Sequence, residues 1–157
     1  WPSISTDAMC KNMVLNAGAI LTINTGYSLT VYGNFDMESS ASASPTQLVI
    51  KGTGTLSVSG TSTIDLYVGA TNWRYIAPPV SSADITVLSG YFVNSYDEPN
   101  VLWDHLNLGD NLIAGTGYSV KNSSGNSTIT FNGIPNTGNK SIAITNSSVG
   151  DDAYGWN

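Results

Sequence analysis

Few residues in this chain could carry reaction chemistry. His105 is the single histidine and Cys10 the single cysteine. A Ser-His-Asp relay would need His105 as its base. Its surroundings, "WDHLNL", place it among Trp103, Leu106 and Leu108, and no nucleophile motif stands nearby. One histidine and one cysteine do not supply the three or four nitrogen and sulfur ligands that zinc takes. Cys10 precedes "KNMVL" and reads as a small buried hydrophobe at the start of a strand. Lys11 beside it is slight support for a reactive thiol. The carboxylates come closer to a pattern. Asp97-Glu98 and Asp104 bracket "PNVLW", and Asp151-Asp152 lie further on. Two carboxyl groups set across a cleft can hydrolyse a glycosidic bond. The same groups cap turns, or bind calcium alongside carbonyl oxygens. Turn capping is the ordinary reading, and a calcium site at Asp97, Glu98 and Asp104 is the alternative. No EF-hand or RTX-type loop is present. No other cofactor and no catalysis are expected.

Aromatic residues offer binding instead. Trp73, Tyr91, Tyr96 and Trp103 could form a platform, because Trp and Tyr stack on sugar rings through their apolar faces. Aromatics at alternating spacing also fill the interior of β-sandwiches, which is their commoner fate. The sequence leaves both readings open.

The elements that would position these residues are strands. Charged residues are 10% of the chain, and no apolar 3.6-residue period persists. In "NAGAILTINTGYSLTVYGNF" (16–35), Leu21 and Ile23 alternate with Thr22 and Asn24, and Leu29 and Val31 with Thr30 and Tyr32. That period of two marks strands with one buried face. Gly18, Gly26 and Gly33 punctuate the runs as tight corners. "LVIKGTGTLSVSGTSTIDLYVG" (48–69) repeats the plan, with Leu56 35 residues after Leu21 and Ile64 35 after Leu29. The polar stretch 36–47 reads as a loop inserted at one corner. This pattern predicts an all-β protein whose first part, 1–71, is a short parallel β-helix of about two coils. Leu21, Ile23, Leu29, Val31, Leu56, Val58, Ile64 and Leu66 should share one interior, with Leu21 beside Leu56.

The character changes near residue 70, where Pro78-Pro79 marks a stiff connection and aromatics crowd in. Candidate strands are 73–77, 91–96, 117–121, 127–132 and 140–145. "ADITVLSG" (83–90) reads as a helical turn or a loop. "GTGYSVKNSSGNSTITFNG" (115–133) reads as a hairpin turning at Gly125-Asn126. Residues 72–157 are thus expected to form an antiparallel β-sandwich-like segment.

The net charge is −6, and the five basic residues are scattered. That gives no electrostatic footprint for nucleic acid or anionic lipid. No apolar run is long enough to span a bilayer. Lone Cys10 forms no disulfide within the chain.

"CKNMVLNAGAILTINTGYSLTVYGNF", followed in order by "WRYIAPPV", "YDEPNVLW", "GTGYSV", "ITFNGIPNTGNKSIAIT" and "YGWN", resembles modules of large secreted surface proteins of the Bacteroidetes, substrates of the type IX secretion system. The resemblance covers most of the chain. It implies an exported module at the extracellular or outer-membrane surface. "YGWN" stops where the resemblance expects a further strand, so the chain reads as a piece of a longer polypeptide. The implied function is a non-catalytic structural or adhesive module. Its partners would be other modules of the same polypeptide, secretion or surface proteins, or polysaccharide. The alternative is a carbohydrate-binding module of a secreted polysaccharide-degrading enzyme.

Overall fold

The computed structural model describes residues 2–42, 45–69, 72–100 and 102–143. Among these residues the chain is all-β, with several open sheets and one short 3-10 turn. Three successive triplets of strands build the first part. They are β1 (Ser3–Ile4), β2 (Ala8–Cys10) and β3 (Met13–Leu15), then β4 (Ile20–Ile23), β5 (Ser28–Val31) and β6 (Phe35–Met37), then β7 (Gln47–Ile50), β8 (Thr55–Val58) and β9 (Ser62–Val68). Each strand pairs in parallel with its counterpart in the next triplet, giving the ladders β1-β4-β7, β2-β5-β8 and β3-β6-β9.

The expected register needs correction. Leu21 lies opposite Leu48, and Leu56 lies opposite Leu29, an offset of 27 residues rather than 35. The 35-residue offset overshoots by one strand, matching β4 to β8. Every strand here carries the same alternation, so a slip of one whole strand preserves the hydrophobic pattern. Strand pairing alone distinguishes the two registers. A further layer lies before residue 16, where Ser3 faces Thr22, Ala8 faces Leu29 and Met13 faces Phe35. Only its last strand had been anticipated.

The corners show why glycine and asparagine recur. A Cβ on Gly60 would sit 2.5 Å from the Gly33 carbonyl oxygen, and one on Gly33 would sit 2.6 Å from that of Lys11. Backbone hydrogen bonds run down this column, Gly60 N–H to Gly33 O at 3.1 Å and Gly33 N–H to Lys11 O at 2.5 Å. Beside it, Asn34 N–H donates to Asn12 Oδ1 at 2.9 Å, and Thr61 N–H to Asn34 Oδ1 at 3.4 Å. Each side-chain amide thus takes a backbone donor that the corner leaves outside the strand ladders.

Two cores result. The first gathers Leu15, Leu21, Ile23, Leu29, Val31 and Phe35, with Leu48, Leu56 and Val58 packed on them. Ile64 and Leu66 were expected there, but they belong to the second core. Beyond Met37, β9 outruns its parallel partner and is covered from the other side by the rest of the chain.

That remainder comprises β10 (Arg74–Ile76), β11 (Ser82–Asp84), the 3-10 turn Ile85–Leu88, β12 (Tyr91–Asp97), β13 (Leu102–His105), β14 (Asn111–Ile113), β15 (Tyr118–Asn122) and β16 (Ser127–Asn132). An antiparallel sheet has the order β10-β15-β12-β13, and β11 pairs with β14. The expected hairpin at 115–133 does not form. β15 joins β10 and β12, whereas β16 runs antiparallel to β9 over six residue pairs, from Ser127 opposite Val68 to Asn132 opposite Thr63. The turn between β15 and β16 is a corner between sheets. Its Ser123 bonds back to the Gly90 carbonyl, through the backbone N–H at 3.4 Å and the hydroxyl at 2.8 Å. On β9, β16 can bury Ile129 and Phe131 against Ile64 and Val68, which a lone hairpin could not do. The β16–β9 ladder also ties together residues on either side of the 71/72 division. Residues 140–143 carry no strand, and the remainder of that expected strand, with "YGWN", lies outside the described residues.

Candidate functional site

The sheet β10-β15-β12-β13 has two unlike faces, set by the parity of its residues. Tyr91, Val93, Tyr118 and Val120 turn inward and join the second core, together with Ile76 and Leu106. The other face runs in three rungs across the strands. The first holds Phe92 opposite Lys121, with Trp73 continuing the register beyond β10. The second holds Tyr75, Ser119, Asn94 and His105, and the third Tyr96 opposite Trp103.

Tyr75, Tyr96 and Trp103 form an aromatic cluster on this face. The Tyr96 and Trp103 rings lie 5.1 Å apart, tilted by 52°, and Tyr75 approaches Trp103 at 6.0 Å. Tyr75 and Trp103 stand on the two edge strands, so their rings lean inward over small residues. Ser119, between them on the same face, is 6% exposed. Lys121 Nζ lies 5.9 Å from the centre of the Trp73 ring. The outer groups remain open: Trp73 is 46% exposed, Tyr75 76%, Phe92 51% and Trp103 47%.

Three of the four aromatics expected at a platform therefore share this face: Trp73, Tyr96 and Trp103. Tyr91 does not. It stands five residues before Tyr96 in one strand, and an odd separation sends the two to opposite faces. The interior reading holds for Tyr91, half-buried against the second core, and for Tyr118, 3% exposed. Tyr75, Phe92 and Lys121 were missed. The even spacings, two residues from Trp73 to Tyr75 and four from Phe92 to Tyr96, would have revealed the aromatics, but the lysine enters from another strand and had no local signal.

The carboxylates are placed differently. Asp97 accepts from the Asn100 backbone N–H at 3.4 Å and from the Asn100 amide at 2.7 Å, closing the turn between β12 and β13. Glu98 follows it and is 4% exposed, while Asp104 lies opposite Ser95 on an exposed strand. Among the described residues no group of three or more His, Cys, Asp or Glu gathers as a metal-holding set. Asp97 thus takes the capping role. Asp151 and Asp152 lie outside the described residues.

His105 Nδ1 lies 3.3 Å from Asn94 Oδ1. Its partner is an amide on the same face, not the carboxylate of a triad. The His105 residue also borders a cleft of about 350 Å³ between the 3-10 turn and β12–β13, lined by Ile85, Leu88, Tyr91 and Leu106. The Tyr91 hydroxyl is buried there without a hydrogen-bond partner. Cys10 is half-buried against the first core, opposite Val31.

No family model, curated protein or solved structure matches this chain.

Proposed function

We propose that this chain is a non-catalytic adhesive module of an exported bacterial surface protein. In this reading residues 2–69 form a parallel β-helix of three coils, one more than the sequence suggested. It carries a sandwich-like half, and the aromatic face of β10-β15-β12-β13 makes the contact. The three parallel ladders support the scaffold. One observation carries the binding role: five aromatic residues, Trp73, Tyr75, Phe92, Tyr96 and Trp103, share one sheet face, four of them well exposed. Exposed apolar area of this kind, gathered in one patch, marks an interaction surface. Exposed aromatic rings offer apolar faces on which sugars can stack.

The same face favours a second reading, a carbohydrate-binding module attached to a polysaccharide-degrading enzyme. The flanking parts of the parent polypeptide separate the two. A hydrolase or lyase beside the segment supports the second, and repeated similar modules support the first. Either reading expects glycan binding that depends on the rings. The Tyr75→Ala/Trp103→Ala variant should keep the far-ultraviolet spectrum of the parent and lose retention on a panel of immobilised polysaccharides. Unchanged retention would remove the aromatic face from the account.

A further inference from the structure

We infer that the aromatic face is built for an acidic polysaccharide, one whose sugars carry carboxylates, rather than a neutral one. The inference rests on the glycan-binding reading above and gives the ligand its charge. The chain has 11 acidic and 5 basic residues. Nine described residues stand on the three rungs of this face. None of the nine is a carboxylate. Its three rungs are Trp73, Lys121 and Phe92, then Tyr75, Ser119, Asn94 and His105, then Tyr96 and Trp103. Of the neighbouring carboxylates, Asp97 and Asp104 have the opposite parity, opposite Leu102 and Ser95, and Glu98 in the turn after β12 is 4% exposed.

The one ammonium group on the face is set among rings. Lys121 is half-buried on β15, with Phe92 directly across on β12 and its Nζ beside the Trp73 ring at 5.9 Å. A lysine whose stem lies along apolar surface keeps its charged head at the rim. There the ammonium can meet an anionic group on a ligand whose ring stacks on Trp73 or Phe92. At the other side of the sheet Asn94 and His105 hold each other and offer polar contacts for hydroxyl groups. Rungs two residues apart are separated by about 7 Å, so three rungs extend over about 14 Å along the strands. That length suits an oligosaccharide stretch more than a single sugar. A neutral glycan would use the rings and leave the Lys121 ammonium without a ligand contact of opposite charge. A carboxylated glycan uses both.

The test is affinity gel electrophoresis of the whole chain with polygalacturonate, and with neutral xyloglucan as the comparison, in chelator to exclude calcium bridging. Polygalacturonate should retard the protein strongly and xyloglucan weakly, and added salt should relieve the retardation. Lys121→Gln should weaken polygalacturonate binding about tenfold, the worth of one hydrogen bond to a charged group. It should leave the weak xyloglucan binding unchanged. Lys121→Arg should restore the affinity, which a merely structural loss would not do. Equal retardation by both polymers, insensitive to Lys121→Gln, would overturn the acidic ligand while the glycan-binding face stood. No retardation by any polysaccharide, with the protein folded, would overturn the face and this inference together.

Discussion

Leu29 and Leu56 stack on one another in the same ladder, yet they should answer truncation differently. Leu29 has Ala8 on one side and Leu56 on the other and is 2% exposed, whereas Leu56 is half-buried on the last strand of its sheet. Leu29→Ala leaves a void walled on both sides and should cost about 2–5 kcal/mol. Leu56→Ala should cost about half as much, because water already reaches part of the side chain. Urea denaturation of the two variants checks the order. If Leu56 proved the costlier site, something must cover β8 in solution. Chemistry at this scale is expected to be absent. The non-catalytic reading proposed above expects no hydrolysis of peptides, esters or common polysaccharides; His105 meets the Asn94 amide. A turnover that disappears in His105→Ala or Glu98→Gln, with folding intact, would sink that expectation.

Among the elements, the 3-10 turn Ile85–Leu88 shows how one polar side chain can fix a buried piece. Asp84 caps it, accepting from the Thr86 N–H at 2.7 Å, and places Ile85 and Leu88 in the second core. Hydrogen bonds from the Thr86 side chain and backbone hold the Asp84 carboxyl below the ordinary aspartate range. A depressed carboxyl stabilises the fold when ionised. Its contribution is therefore full above the ordinary aspartate value, about pH 4, and fades as pH falls through the lower folded value. Asp84→Ala should lower stability at pH 7 and change it much less near pH 2, as measured by thermal melts at each pH. An equal loss at both would mean that the charge has no part in the cap. The same scale explains the hairpin that does not form. β15 and β16 are adjacent in sequence and carry a good turn between them. Each finds a better partner elsewhere, β15 between β10 and β12, and β16 along β9.

For the whole molecule, β9 is the joint. It closes the third parallel ladder through Phe35, Asp36 and Met37, and carries β16 on its other edge. Met37 packs against both cores. Loosening the second core should therefore reach the first. Phe131 is fully buried beside Ile64 and Ile129, and Phe131→Ala should cost about 3–5 kcal/mol. Tryptophan fluorescence and amide exchange in β4–β6 should both shift, in one cooperative transition. Loss confined to the fluorescence signal would make the two cores independent units.

Alternation, corner glycines and low charge were enough to make this an all-β chain and to locate β4, β5 and β7 to β9, because those signals depend only on near neighbours; Asp36 and Met37 of β6 fall in the stretch that reads as a polar loop. They also put Leu21, Ile23, Leu29 and Val31 in a common interior. The two-residue period likewise separates Tyr91 from Tyr96, and could have been read that way from the start. Local signals did not choose partners. Each short strand offers the same apolar face, so Leu21 is as compatible with Leu56 as with Leu48 until the backbone ladders fix the register. The pairing of β16 with β9, and the meeting of Lys121 with Trp73 from separate strands, join residues far apart in the chain. Such contacts are settled by how much surface the alternatives bury together, a property of the assembled fold that no short window of sequence contains.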